Sequence, residues 1–182
     1  MANLTLKLLL AILPLAAGKK GLVELFRLAA AAGDREVPDL RGRSRRELLQ
    51  EFARFTRTEA ERSLAGGTAD AERKNLHARA ADLGRDIRRR LPMRSRADAA
   101  AAIQRLYGLL DIDMKIASGG AVLIGRCFFA ARYTPETCRL MAAMDEGIVA
   151  GICGGRLVFT QRLSEGAEAC RARIEWPEGE NE

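Results

Sequence analysis

Apolar residues recur at helical spacing through the first 110 residues, and beyond that point several short segments alternate with a period of two. Leu4 to Ala17 and Lys20 to Ala32 read as two short helices separated by Gly18 and Gly21 and stopped by the polar run GDREVPDL. Ser44 caps a third, in which Leu48, Leu49, Phe52, Phe55 and Ala60 follow one stripe. A fourth runs from about Asp70 to Leu91 and is closed by Pro92. A fifth, from Ser95 to Leu110, carries Ile103, Leu106, Tyr107 and Leu110.

At about Asp111 the period changes. DIDMKIA places Ile112, Met114 and Ile116 on one side and Asp113 and Lys115 on the other, SGG offers a turn, and AVLIGRCFF completes a hairpin. RLVFTQRL and ACRARIEW are two more strands; in the last, Cys170, Ala172, Ile174 and Trp176 share the inward face. Between the strand pairs lies TPETCRLMAAMDEGIVAGIC. Thr134 is its N-cap, Pro135 fits the first turn, Glu136 suits the positive end of the helix dipole, and Gly154-Gly155 ends it. The expected fold is α+β: a helical N-terminal region over 1–110, then an α+β region over 111–182 in which about four antiparallel strands pack against a helix, the two integrated into one domain.

Cys138, Met141, Ala142, Asp145, Ile148, Val149 and Ile152 form one stripe on that helix, which should face the sheet. Asp145 is thereby turned inward, where an unpaired carboxylate is costly. Either it bonds to a backbone amide or a nearby arginine, or it lines a ligand pocket. Cys127 is read on the strand face of Leu123 and Phe129, opposite Arg126, so that Cys127, Cys138 and Cys170 look into one interior space. Cys153 reads as a small hydrophobe. Four outcomes are open for the three inward thiols: a zinc site, a disulfide, one end of an organic pocket, or plain core. Cys138 and Asp145, seven residues apart and so about 10 Å along the axis, cannot ligate one ion together. No CxxC pair occurs, and the single histidine, His77, sits in a charged helical pattern that reads as solvated.

Composition changes the picture little. With 48% hydrophobic and 30% charged residues the chain is of globular type. The net charge is +6, with 23 Lys/Arg against 15 Asp/Glu up to Gly119 and 7 against 9 beyond it. A nucleic-acid footprint should cluster on one face and come with stacking aromatics, and only nine aromatics accompany this charge. The apolar run from Leu8 to Ala17 imitates a secretory signal, but it is interrupted by Pro14 and is short of the roughly 20 residues that span a bilayer. A core helical hairpin is favoured over a membrane-surface helix within residues 1–32 or a cleaved signal, and a cytoplasmic, thiol-reducing location follows by default. The tail PEGENE reads as a solvated end, and a homodimer is compatible with all of this.

Taken in order, a strand cysteine in C-FFA, the helix ETCRLMAAMDEGI, and the hairpin RLVFTQRLSEGAEACRARIEW resemble the L-2-amino-thiazoline-4-carboxylic acid hydrolase-like family, and also the 4-vinyl reductase, or hydrocarbon-binding, domains. The positions that carry the resemblance are Cys127, Cys138, Asp145, Leu163, Gly166 and Cys170, within residues 120–176. Zinc-holding relatives tend to have a further cysteine where this chain has Arg162-Leu163, which lowers the zinc reading. The resemblance implies a pocket between helices and sheet that takes a small or apolar molecule. It assigns Asp145 to orient or deprotonate water and makes Cys138, at a helix N-terminus, the best candidate for a nucleophile. Cys127, Phe129, Met141 and Cys170 line the ligand side, with no cofactor expected beyond that zinc alternative.

Overall fold

The computed structural model describes residues 4–177, without the side chains of 4–5 and 7–17. Five helices, α1 (Leu4–Ala32), α2 (Arg45–Ala65), α3 (Ala69–Arg90), α4 (Arg96–Gly108) and α5 (Pro135–Cys153), combine with four strands, β1 (Ile112–Ile116), β2 (Ala121–Cys127), β3 (Arg156–Gln161) and β4 (Cys170–Glu175). The sheet is antiparallel throughout, in the order β1-β2-β4-β3. The α+β class and the order of helices before sheet are as the periodicity indicates.

The first two expected helices are one. α1 passes through Gly18 and Gly21 without a break. A glycine within a helix costs only about 1 kcal/mol, and Leu22, Leu25, Phe26, Leu28 and Ala29 bury a long stripe in the main core that outweighs it. The side chains of the apolar run up to Ala17 and the tail beyond Pro177 lie outside the described residues, so the reading of a membrane-surface helix and of a solvated tail falls there. Among the described residues no helix is long and apolar enough to cross a membrane.

The caps are where the sequence puts them. Ser44 and Glu47 form a reciprocal capping box at the start of α2, with the Ser44 amide donating to Glu47 at 2.7 Å. At the α4–β1 junction Asp111 takes a left-handed conformation, φ 55°, which aspartate tolerates better than most residues. Arg45 of α2 holds it there at 2.9 Å.

One face of the sheet is buried and carries Ile112, Met114, Val122, Ile124, Leu157, Cys170, Ala172 and Ile174. The other faces solvent with Asp113, Lys115, Arg171 and Arg173. α5 packs against both the sheet and α3, and the main core draws on all five helices and all four strands.

The α3–α5 contact is made by small residues. A Cβ placed on Gly147 would stand 2.4 Å from the His77 carbonyl oxygen, and one on Gly84 would stand 2.5 Å from that of Ile148. Side chains normally hold helix axes 8–10 Å apart; here glycine and alanine let backbone lie almost on backbone. α5 is therefore buried on two faces, not on one stripe alone.

Candidate functional site

The start of α5 is set by its cap. Thr134 accepts from the Thr137 amide at 3.2 Å, Pro135 occupies the first turn, and Gly154, at φ 68°, closes the other end. Along the sheet-facing stripe Met141, Ala142, Ile148, Val149 and Ile152 are buried, as expected. Cys138 and Asp145 are half-buried on it.

Asp145 finds its donor in Tyr107 of α4, whose hydroxyl donates to the carboxylate at 2.8 Å. The partner is neither the backbone amide nor the arginine that the sequence suggested. Tyr107 is 2% exposed, so this bond lies between a core phenol and a carboxylate on the facing helix. Burial raises the Asp145 pKa from 3.8 to about 6; the Tyr107 bond opposes the rise, Glu146 adds to it, and Arg162 opposes it. Burial likewise lifts the Tyr107 hydroxyl well above its ordinary value, and the charge of Asp145 lifts it further.

The charge of Asp145 acts on all three thiols. Burial pushes Cys127 up to about 12, against the amides of Phe129 and Ala130, and Asp145 and Cys170 push in the same direction. Burial also raises Cys138, opposed by the Ser164 hydroxyl beside it and by Arg162, and it raises Cys170, whose sulfur accepts from the Leu163 amide at 3.3 Å. Each of these thiols, and Tyr133, feels the Asp145 charge. Tyr107, Tyr133 and Arg162 thus belong to the cluster although the sequence did not single them out. The only signal was the phenolic hydroxyl of Tyr107 on an otherwise apolar helix stripe, a polar handle that needs a partner when buried.

Cys127 arrives by a different route from the one its parity indicated. On β2 the buried positions are Val122 and Ile124, while Leu123 is 39% exposed. Asp113 pairs with Arg126 and Met114 with Ile124, so Gly125 is an extra residue in β2. This bulge reverses the alternation and brings Cys127 opposite the buried Ile112. Phe129 sits just beyond, stacked on Tyr133 with centroids 5.4 Å apart and edge-on to Phe52.

Activation of Cys138 by the helix N-terminus is outweighed by burial, so the thiol is held protonated rather than as a ready nucleophile. All four cysteines are free in this structure. Cys153 is fully buried and donates to the Val149 carbonyl at 3.1 Å, the small-hydrophobe role read for it. Among the described residues no group of three or more His, Cys, Asp or Glu side chains is arranged to hold a metal ion, the Cys127, Cys138 and Cys170 set included.

Arg162 links this interior to the surface. Its guanidinium carbon lies 4.2 Å from the centroid of the Phe159 ring, and it lines a groove of about 500 Å³ with Arg73, His77, Glu146, Arg156 and Phe159.

No protein-family model matches the chain, and no curated protein or solved structure is similar enough to match it.

Proposed function

We propose that the protein binds a small organic molecule at the cluster of Asp145, Tyr107 and the thiols of Cys127, Cys138 and Cys170, as its resemblance to the L-2-amino-thiazoline-4-carboxylic acid hydrolase-like family implies. One observation carries the reading: a carboxyl group with a pKa of about 6 stands on the inner face of a core helix, met by a phenol from another helix. Apolar side chains of the same shape in place of both partners would pack there at little cost, so the polar pair is not required by the fold. A carboxyl group balanced near neutrality both gives and accepts a proton, the property that general acid–base chemistry needs.

The thiols, held protonated, favour a binding wall over a covalent nucleophile. Where the ligand is hydrolysed, Asp145 is the base that orients water, and Tyr107 positions Asp145. The test is consumption of L-2-amino-thiazoline-4-carboxylate by the full chain, beside native mass spectrometry of the protein as purified. Turnover abolished in Asp145→Asn supports hydrolysis. A retained or added small-molecule mass without turnover supports a sensing module. The absence of both turnover and a bound mass overturns the proposal.

A further inference from the structure

A second site is built where α4 begins and β4 ends, and it shares no residue with the thiol cluster. A hollow of about 470 Å³ is lined there by Arg96, Ser118, Gly119, Arg173, Glu175 and Trp176. That volume falls within the range of about 300–1,000 Å³ usual for small-molecule sites.

Two of its lining residues carry donors with nothing to donate to among the described residues. Arg96 Nε and Trp176 Nε1 are both buried and lack a hydrogen-bond partner among the described residues. Nearly all buried polar groups in folded proteins are bonded, and each exception asks for an acceptor. Two such orphans in one hollow ask for it twice.

Both donors are held in place. The terminal nitrogen of Arg96 donates to the Pro177 carbonyl at 3.1 Å, and its guanidinium carbon lies 6.0 Å from the centroid of the indole. The β1–β2 turn closes on the indole through Gly120, at φ 83°, where a Cβ would come within 2.8 Å of Nε1.

The charges point the same way. Arg173 lies on the exposed sheet face and has no carboxylate partner among the described residues. The one carboxylate in the lining, Glu175, is engaged by Arg156 at 2.8 Å. The hollow therefore brings together the Ser118 hydroxyl, a cation without a carboxylate partner among the described residues, and two residues whose buried N–H donors lack an acceptor there, which is the complement of an oxyanion. We propose that this hollow binds a small molecule bearing an oxyanion, a carboxylate or a phosphate, whose oxygens accept from Arg96 Nε and Trp176 Nε1 and whose charge is met by Arg173.

Trp176 is the only tryptophan of the chain, so its emission reports on this hollow alone. The full chain is titrated with sodium phosphate and, separately, with citrate, at ionic strength held constant with sodium chloride. The expected result is a saturable change with at least one anion, at an apparent Kd of about 1 mM or tighter. Which anion saturates distinguishes a phosphate ligand from a carboxylate. Arg173→Gln, at an exposed position that leaves the fold intact, weakens binding several-fold. Arg96→Lys keeps the charge, removes the Nε donor and weakens it about tenfold, a single lost charged hydrogen bond. Asp145→Asn leaves the titration unchanged, which keeps this outcome separate from that of the thiol cluster. Absence of saturation with both anions, or saturation that Arg173→Gln leaves unaltered, overturns the proposal.

Discussion

Replacement of Gly151 by alanine tests the close packing of α5 on α3. The added Cβ would stand 2.2 Å from the Ala81 carbonyl oxygen and 2.8 Å from both the Arg85 nitrogen and the Gly84 Cα. Ordinary contact begins at 3.4 Å, so the two backbones must separate by about 1 Å. All three obstacles are backbone atoms of a helix, and no side-chain rotation clears them. Overpacking of this kind costs about 1–3 kcal/mol, and the obstacle being backbone places the cost at the upper end. The gain in helix propensity from glycine to alanine offsets about 1 kcal/mol. The net expectation is a loss of about 2 kcal/mol, or about 4–8 °C in Tm for a chain of this size. Gly21 supplies the control. It lies on the exposed side of α1 with nothing within 4 Å of its would-be Cβ. The same substitution there gains about 0.5–1 kcal/mol. Urea unfolding followed by far-UV circular dichroism measures both. Equal stability changes in Gly151→Ala and Gly21→Ala would refute the close approach of the two helices.

Asp145 gives the fold a pH dependence of definite sign. Its pKa is raised from 3.8 to about 6, so the native state holds the proton more tightly, and this contribution is full below pH about 4 and lost as the pH rises through about 6. The shift corresponds to up to about 3 kcal/mol, less what solvent reaching a half-buried group screens. Asp145→Asn, which still accepts from Tyr107, flattens the urea-derived stability profile across that window; an unaltered slope sinks the assignment. Thr134→Ala removes the acceptor for the Thr137 amide and lowers stability by about 1 kcal/mol, read by the same unfolding assay.

Most of the elements were legible because local chemistry decides them. The Ser44 cap, the Thr134-Pro135 start and the alternation in ACRARIEW are each settled within a few residues, and the structure places caps and strands there. The break at Gly18 and Gly21 was misread because a glycine's local preference is weak beside a continuous buried stripe on α1. The spacing of Ala143, Gly147 and Gly151 was in plain view, but it becomes a packing surface only when Ala80, Ala81 and Gly84 of α3 are brought opposite.

The thiol cluster shows where such reading ends. The inward turn of Asp145 follows from helical periodicity, but its donor lies 38 residues away on α4, and no local pattern pairs the two. Cys127 is the sharper case. Strict alternation from Val122 and Ile124 directs Cys127 to solvent, and only the extra residue at Gly125 returns it to the side of Ile112. The expectation that it faces inward was right for a reason the structure removes, since Leu123, its supposed companion, faces out. For the cluster to exist, α4, β2 and β4 must each present one correctly phased side chain and α5 must present two. The bulge is the step at which β2 acquires that phase, so the geometry of the cluster depends on Gly125 as much as on any group that titrates.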